Sequence, residues 1–363
     1  MSVKARKSIE SLPPYRAARS VDTLKREYGL KEITKLAANE NTLGFSENVW
    51  EALRKISSQY PDGSSYNLRA GLAEKFGLEP ENIVVGNGSF ELLYLAGIAY
   101  LNAGDEAVAA LPSFGWYKTV TEILGASFIG VPVENFRIDL EKIAASVGER
   151  TKIIWLCNPN NPTGTIFTHA ELENFLQKIP DSILVVLDEA YIDFVEEENF
   201  PDSISLLKKH DNILILRTFS KAEGLAGFRV GYAISNQEIT TALNKVRIPL
   251  NVNAPAQFAA LASLKDEDFK NRTLENAHQQ KNLFYKAFGE LGFSYVVSNT
   301  NFIFFDVGRE SDSVVEAFLK EGILIRGGSE YGFPTMIRLT IGTPEENGRV
   351  VQIFKKFFGG SHG

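Results

Sequence analysis

Short, almost wholly apolar runs punctuate the middle of this chain: Ile83–Val85, Ala107–Leu111, Phe128–Val133, Ile153–Cys157, Ile183–Leu187, Ile213–Leu216 and Val230–Ile234. Patterns of helical period lie between most of them. A strand whose successive residues are all apolar has no face to offer to water, so both of its faces must be covered. Such strands alternating with helices restrict the fold to α/β, a mostly parallel sheet flanked by helices. In sheets of this kind ligands gather at the carboxyl ends of the strands. The residues just past each run are therefore where chemistry is expected.

The pattern differs at both ends. Pro13-Pro14-Tyr15 breaks any helix near the start, and Val21 to Tyr28 fits a short one. Ser46 suits the N-cap of a helix carrying Val49, Trp50, Leu53 and Ile56 on one face. Tyr60 to Ser65 reads as a turn, and Leu68 to Phe76 as a helix stopped by Gly77. Beyond about Pro255, a long polar helix from Asp266 to Leu291 precedes strands at Phe302–Asp306 and Met336–Ile341. Helices near Ser313–Lys320 and Pro344–Phe358 complete an α+β pattern. The expected division is a large cofactor-binding domain over residues 46–260 and a smaller α+β domain formed from both chain ends. Residues 1–45 and 261–358 would build the smaller one, with 359–363 as a tail.

At 363 residues, 44% hydrophobic and 23% charged, the chain has material for a large core. A net charge of −7 leaves no basic footprint for nucleic acid. No apolar stretch approaches the roughly 20 residues of a membrane span. Lys4, Arg6 and Lys7 are not followed by the apolar region that a signal peptide needs. The single cysteine, Cys157, excludes an intrachain disulfide and suits a reducing compartment. Neither a nucleic-acid nor a membrane partner is expected, no metal site is expected, and the expected location is cytoplasmic.

Past the run Ile213–Leu216 comes the stretch from Thr218 to Tyr232, TFSKAEGLAGFRVGY. A lone lysine is ordinarily a solvated charge. Here Ser220 and Arg229 flank Lys221 as an anion-binding pair, and the glycines allow backbone to approach a ligand closely. An amine beside a phosphate-type site suits pyridoxal 5'-phosphate, whose carbonyl condenses with a lysine while neighbours hold the phosphate. That cofactor also needs an anion beside its ring nitrogen. Asp188 directly follows Ile183–Leu187, so its carboxylate stands at the sheet's carboxyl edge. Gly88-Ser89-Phe90 opens a helix, whose free N–H groups and positive end suit an anion. Asn158-Pro159-Asn160-Asn161-Pro162-Thr163-Gly164, read alone, is a rigid turn. Arg338, in an alternating strand, and Arg326 each suit a carboxylate or phosphate, or a surface salt bridge.

The Ser220–Tyr232 segment resembles the signature of the fold-type I aminotransferases, in the histidinol-phosphate aminotransferase branch. Asp188-Glu189-Ala190-Tyr191 resembles the same family's Asp-Glu-Ala-Tyr. The resemblance runs from Pro14-Tyr15 to Thr343-Pro344-Glu345-Glu346-Asn347 and includes the order Asn161, Asp188, Lys221 along the chain. It implies that Lys221, Asp188 and Tyr191 are catalytic, with Asn161 and Tyr191 at the ring hydroxyl of the cofactor. Gly88, Ser89, Phe90, Ser220 and Arg229 would surround the phosphate, and Phe114 would stack on the ring. Tyr60 would reach the phosphate of a neighbouring subunit, so the resemblance implies a homodimer. Arg338, Arg326, Asn161, Tyr15 and Asn39 would meet the substrate.

The implied reaction carries an amino group between a small-molecule amino donor and a 2-oxo acid acceptor, first of all histidinol phosphate and 2-oxoglutarate. Aromatic amino acids are the alternative donors. Decarboxylation of a phosphorylated amino acid, such as threonine phosphate, uses the same core residues. An amine-sensing regulator on this scaffold is opposed by the short N-terminal arm and the acidic charge. Two residues depart from the family pattern: Phe90 stands in place of an aspartate, and Glu223 in place of an aromatic or apolar residue. A carboxylate facing the pocket at Glu223 would repel a phosphorylated substrate and favour aromatic ones. Paired with a base or turned to solvent, it leaves the phosphate reading standing.

Overall fold

Every one of the apolar runs is a strand of one seven-stranded sheet in the computed structural model, which describes residues 3–10, 12–15 and 19–359. The strands are β1 (Ile83–Gly86), β2 (Glu106–Leu111), β3 (Ser127–Pro132), β4 (Thr151–Cys157), β5 (Leu184–Asp188), β6 (Ile213–Thr218) and β7 (Gly231–Ile234). They lie in the order β1-β7-β6-β5-β4-β2-β3. Only β7 runs against its neighbours, β1 and β6. The link from Thr218 to Gly231 contains no crossover helix, only the short 3-10 turn Ala226–Phe228. Without a helix to carry it to the far end, the chain turns back where β6 stops. The Lys221 loop is therefore held at the carboxyl edge, which β1 to β6 all share.

Successive strand residues point to opposite faces, and here both faces are core. Val85, Val108, Ile154, Leu156, Val185, Leu187 and Ile215 belong to one apolar cluster. Val84, Ala107, Ile153, Trp155, Val186, Leu214 and Leu216 belong to the cluster on the other side. Each buried aliphatic side chain contributes about 1.5–3 kcal/mol, so this layer dominates the stability of the sheet.

The C-terminal region forms a second, antiparallel sheet of β8 (Ser294–Val296), β9 (Phe302–Asp306), β10 (Arg326–Gly327) and β11 (Met336–Thr340), in the order β10-β11-β9-β8. Helices Glu267–Leu291, Ser311–Lys320 and Pro344–Phe358 accompany it, around a core of Phe284, Phe288, Phe305, Phe318 and Phe354. The N-terminal segment is stitched to this unit. Thr34–Lys35 pairs in parallel with Ile323–Leu324, and the Leu36 carbonyl accepts the Thr340 N–H at 3.0 Å. This carries residues 37–39 toward the edge of the seven-stranded sheet.

Local signals explain most helix limits. Ser46 caps the helix Glu47–Leu53 by accepting the Asn48 N–H, and Gly77 ends Tyr66–Phe76 in the left-handed conformation. The expected extension of the first of these to Ile56 does not occur. The N–H groups of Lys55 and Ile56 turn to carbonyls three residues back, which tightens and ends the helix. The expected tail lies outside the described residues apart from Gly359.

Candidate functional site

The site is best built from Asp188, the last residue of β5. Its Cα is the ladder partner of Cys157, the last residue of β4. Asp188 is buried, and burial pushes its carboxyl above the ordinary carboxylate range. Three features oppose this: Tyr117 donates its hydroxyl to Oδ2 at 2.7 Å, the Ala190 N–H bonds Oδ1 at 3.2 Å, and the Lys221 charge is near. Cys157 is buried beside Asp188, and burial raises its thiol, so it stays protonated.

Lys221 comes three residues after β6. Its Nζ donates to the backbone carbonyls of Asn39 at 3.0 Å and Ala38 at 3.3 Å. Burial, with the positive charges of Arg338 and Arg229, brings the amine down to about 8 against the pull of Glu40 and Asp188. An amine of that strength is partly neutral near physiological pH, as a nucleophile or proton carrier must be.

An anion cradle lies on the β7 side. Helix Ser89–Tyr100 begins at Gly88 with no side-chain cap, so the Ser89 and Phe90 N–H groups have no partner among the described residues, while that of Glu91 bonds the Gly88 carbonyl at 3.2 Å. A Cβ on Gly88 would stand 2.5 Å from Nη2 of Arg229, and one on Gly231 would collide with the Ser89 N–H. Only glycine at these two places lets the guanidinium and the helix start share one concavity. Arg229 itself adopts a left-handed backbone (φ 61°), a conformation that costs a non-glycine residue on the order of 1 kcal/mol or more. Its Nη1 donates to the Ala226 carbonyl at 3.0 Å. Ser220 is buried in the same loop, its hydroxyl accepting from Thr218 at 2.9 Å. Phe90, the first departure, turns edge-on to Trp116 with ring centres 4.7 Å apart. Glu91 fixes the helix entry instead, accepting the Asn87 N–H at 2.6 Å.

Arg338 lies across the opening in β11, 7% exposed. Its Nη1 donates to Asn161 Oδ1 at 2.7 Å and to the Tyr331 hydroxyl at 2.9 Å, and its Nη2 to the Ala37 carbonyl at 2.9 Å. Its Nε is buried with no partner among the described residues. Asn39, also left-handed (φ 55°), donates through Nδ2 to the Tyr191 hydroxyl at 2.9 Å, and Asn161 reaches the same hydroxyl at 3.4 Å. One connected set of contacts thus joins Lys221, Asn39, Tyr191, Asn161 and Arg338, while Asp188, Gly88, Ser89, Ser220 and Arg229 gather along the same edge. Phe114 is half-buried there, edge-on to Tyr117 at 5.6 Å.

Three expected residues stand apart from this set. Tyr60 is 86% exposed in a groove with Pro61, Leu68, Gln257 and Phe258. Tyr15 is largely exposed, its ring 5.9 Å from that of Trp116. Arg326 is the ladder partner of Arg338, but its guanidinium is held by Glu330 at 2.7 and 2.5 Å. Glu223 faces neither the opening nor solvent. It is buried, and its Oε2 has no partner among the described residues; burial and the charge of Asp193 push its carboxyl up, and Lys270, which bonds Asp193, opposes them. The charges that act on Lys221 are those of Arg338, Glu40, Arg229 and Asp188.

Sequence reasoning missed Tyr117, Tyr331 and the Ala37 carbonyl. Tyr117 follows Phe114 by three residues at the start of helix Trp116–Ile123, and nothing in its spacing separates it from a packing tyrosine.

The family model for aminotransferase class I and II matches residues 31–354. A histidinol-phosphate aminotransferase of Moorella thermoacetica is 43% identical over 97% of this chain and 92% of its own. One from Brevibacillus brevis is 41% identical over 99% of this chain and 100% of its own. The crystal structure of histidinol-phosphate aminotransferase from Sinorhizobium meliloti in complex with pyridoxal-5'-phosphate superposes with a TM-score of 0.90 at 26% identity, over 98% of this chain and 99% of that one.

Proposed function

The chain belongs to the class I and II aminotransferases, and from that premise we propose that it transfers the amino group between histidinol phosphate and 2-oxoglutarate with pyridoxal 5'-phosphate as cofactor. One observation carries the reading: a lysine whose amine is lowered to about 8 shares a sheet edge with a glycine-lined anion cradle and a buried carboxylate.

The residues fit the cofactor. A cradle that any Cβ would fill accepts a phosphate, with the Ser89 and Phe90 N–H groups, Ser220 and Arg229 as donors. Asp188 suits a protonated ring nitrogen, and Asn161 and Tyr191 suit a ring oxygen. When bound, pyridoxal phosphate supplies an electron sink for the carbanion at the substrate's α-carbon. The remaining work falls to the chain's own groups. Lys221 Nζ, neutral for part of the time, takes a proton from that carbon and returns it one position away. Asp188, ionised, keeps its partner positively charged. Arg338, with an unpaired Nε and a fork already aligned by Asn161 and Ala37, holds the anion of whichever substrate is present. Both half-reactions, with glutamate and with histidinol phosphate, then use one guanidinium.

Glu223 is buried rather than exposed toward a substrate, which supports the phosphorylated substrate over aromatic ones. We also propose a homodimer: Tyr60, 86% exposed and apart from its own chain's site, would serve a second copy's. A panel of histidinol phosphate, phenylalanine, tyrosine and threonine phosphate with 2-oxoglutarate tests the reading. Amino transfer without released carbon dioxide, fastest for histidinol phosphate, is expected; carbon dioxide release would overturn it.

A further inference from the structure

Beneath Asp188 lies an arrangement that the reaction as described does not use. Trp155 and Cys157 sit two residues apart on β4 and so point to the same face; Asp188 is level with Cys157 on the neighbouring strand. Trp155, wholly buried, forms a platform. The Tyr117 ring stacks on it almost parallel, with centres 5.6 Å apart and an angle of 3°. Phe114 packs edge-on against the same tyrosine. Tyr117 is 1% exposed, and its hydroxyl ends 2.7 Å from Asp188 Oδ2. A flat ring clamped between two aromatics has one direction left for its hydroxyl, and that direction is the carboxylate.

We propose that Tyr117 is a positioning residue that keeps Asp188 ionised and aimed, so that the carboxylate can hold the positive charge on a cofactor ring nitrogen. The inference deepens the proposed cofactor chemistry and rests on it. Burial alone favours protonated Asp188. A protonated carboxyl cannot balance a cationic ring. A hydroxyl donor strengthens the charged form, and Tyr117 remains a donor because burial and the adjacent carboxylate raise its own ionisation far above the working range. The other groups facing Asp188 are less suited to this role. Cys157 has its Sγ 3.3 Å from the Pro159 carbonyl and is a weak donor. Lys221 is engaged with the carbonyls of residues 38 and 39. Glu189 is bound by Arg217 at 2.9 Å, and the Tyr191 hydroxyl accepts from Asn39. The Ala190 N–H holds the opposite oxygen, so removing Tyr117 leaves Asp188 a single longer bond.

The test begins with the cofactor-free protein, in which Asp188 is followed by carboxyl carbon NMR and assigned by its loss in Asp188→Asn. In Tyr117→Phe its titration midpoint is expected to rise by about one pH unit or more, the tenfold change in proton affinity that loss of a charged hydrogen bond brings. An unmoved midpoint overturns the proposal. Pyridoxal phosphate affinity, read from tryptophan fluorescence, supplies the second measurement. Tyr117→Phe should weaken binding about tenfold at neutral pH, recover as pH rises, and have little further effect in the Asp188→Asn background. Equal weakening in both backgrounds would mean that Tyr117 only packs. If Tyr117→Phe does not fold, 3-fluorotyrosine at position 117, a stronger donor of nearly the same shape, must lower the midpoint; no change contradicts the proposal. Because the midpoint is measured without cofactor or substrate, it distinguishes failure of this role from failure of the proposed reaction.

Discussion

Asn39 and Lys221 stand 182 residues apart in the chain, yet the Asn39 carbonyl receives the Lys221 amine at 3.0 Å. The contact depends on a left-handed backbone at Asn39, held by its side-chain bond to Tyr191, its N–H bond to Thr340 Oγ1 and the Asn301 amide on its carbonyl. The N-terminal segment, anchored in the C-terminal sheet through Leu36, is therefore one wall of the lysine's surroundings.

Asn39→Ala should lose both the Tyr191 bond and the tolerance for a positive φ, lowering stability by about 1–3 kcal/mol. Asn39→Gly restores the backbone freedom and loses only the side chain. Urea unfolding should rank the proteins wild type, then Gly, then Ala. Equal losses for Ala and Gly would show that backbone strain is not what Asn39 relieves.

Lys221 should impose a pH-dependent cost on the cofactor-free protein. Its folded value of about 8 lies below the ordinary 10.5. Between those values the unfolded chain holds a proton that the folded chain has released, so Lys221 contributes increasing stability as pH rises through that window. Below pH 8 the charge is buried at full cost. Lys221→Met, cofactor-free, should be more stable than wild type at pH 7, with the difference falling away by about pH 10.5. A difference independent of pH would contradict the lowered amine. The same variant should lose all turnover and the visible absorbance of lysine-bound cofactor.

Asp188→Asn should retain measurable cofactor binding while losing orders of magnitude in rate, because one preorganised charge contact is commonly worth about 2–4 kcal/mol in the transition state. Turnover near that of wild type would remove Asp188 from the mechanism.

Much of this arrangement is legible in the sequence because it is local. Each strand of the large sheet is an apolar run with turn residues at its ends, and Lys221 and Asp188 are found by their distance from those ends. The glycines at 88 and 231 mark the cradle for the same reason. Contacts between distant segments are not legible in this way. No spacing tells that Tyr117 bonds Asp188 71 residues away, or that Ala37 receives Arg338 from 301 residues away. Glu223 reads as a threat to a phosphate because sequence gives adjacency to Lys221 but not direction; in the fold it is buried, its Oε2 without a partner among the described residues. For Arg326, two uses were open from sequence, and its pairing with Glu330 depends on the turn Ser329–Tyr331 bringing position 330 back.

Tyr60→Phe should weaken cofactor retention only if a second copy delivers the hydroxyl. Sedimentation of the active protein at assay concentration should give a dimer, and mixing Tyr60→Phe with Lys221→Ala should restore a share of activity through hybrid sites. A fully active monomer would remove Tyr60 from the account.

The preference of the shared Arg338 guanidinium for a phosphorylated amino donor is tested most directly by one ratio. Specificity constants for histidinol phosphate and for phenylalanine are measured on the native protein with 2-oxoglutarate as acceptor. With Glu223 buried and Arg338 lying across the opening, the ratio of histidinol phosphate to phenylalanine should lie well above one. A ratio below one would contradict the substrate assignment and leave an aminotransferase for aromatic amino acids.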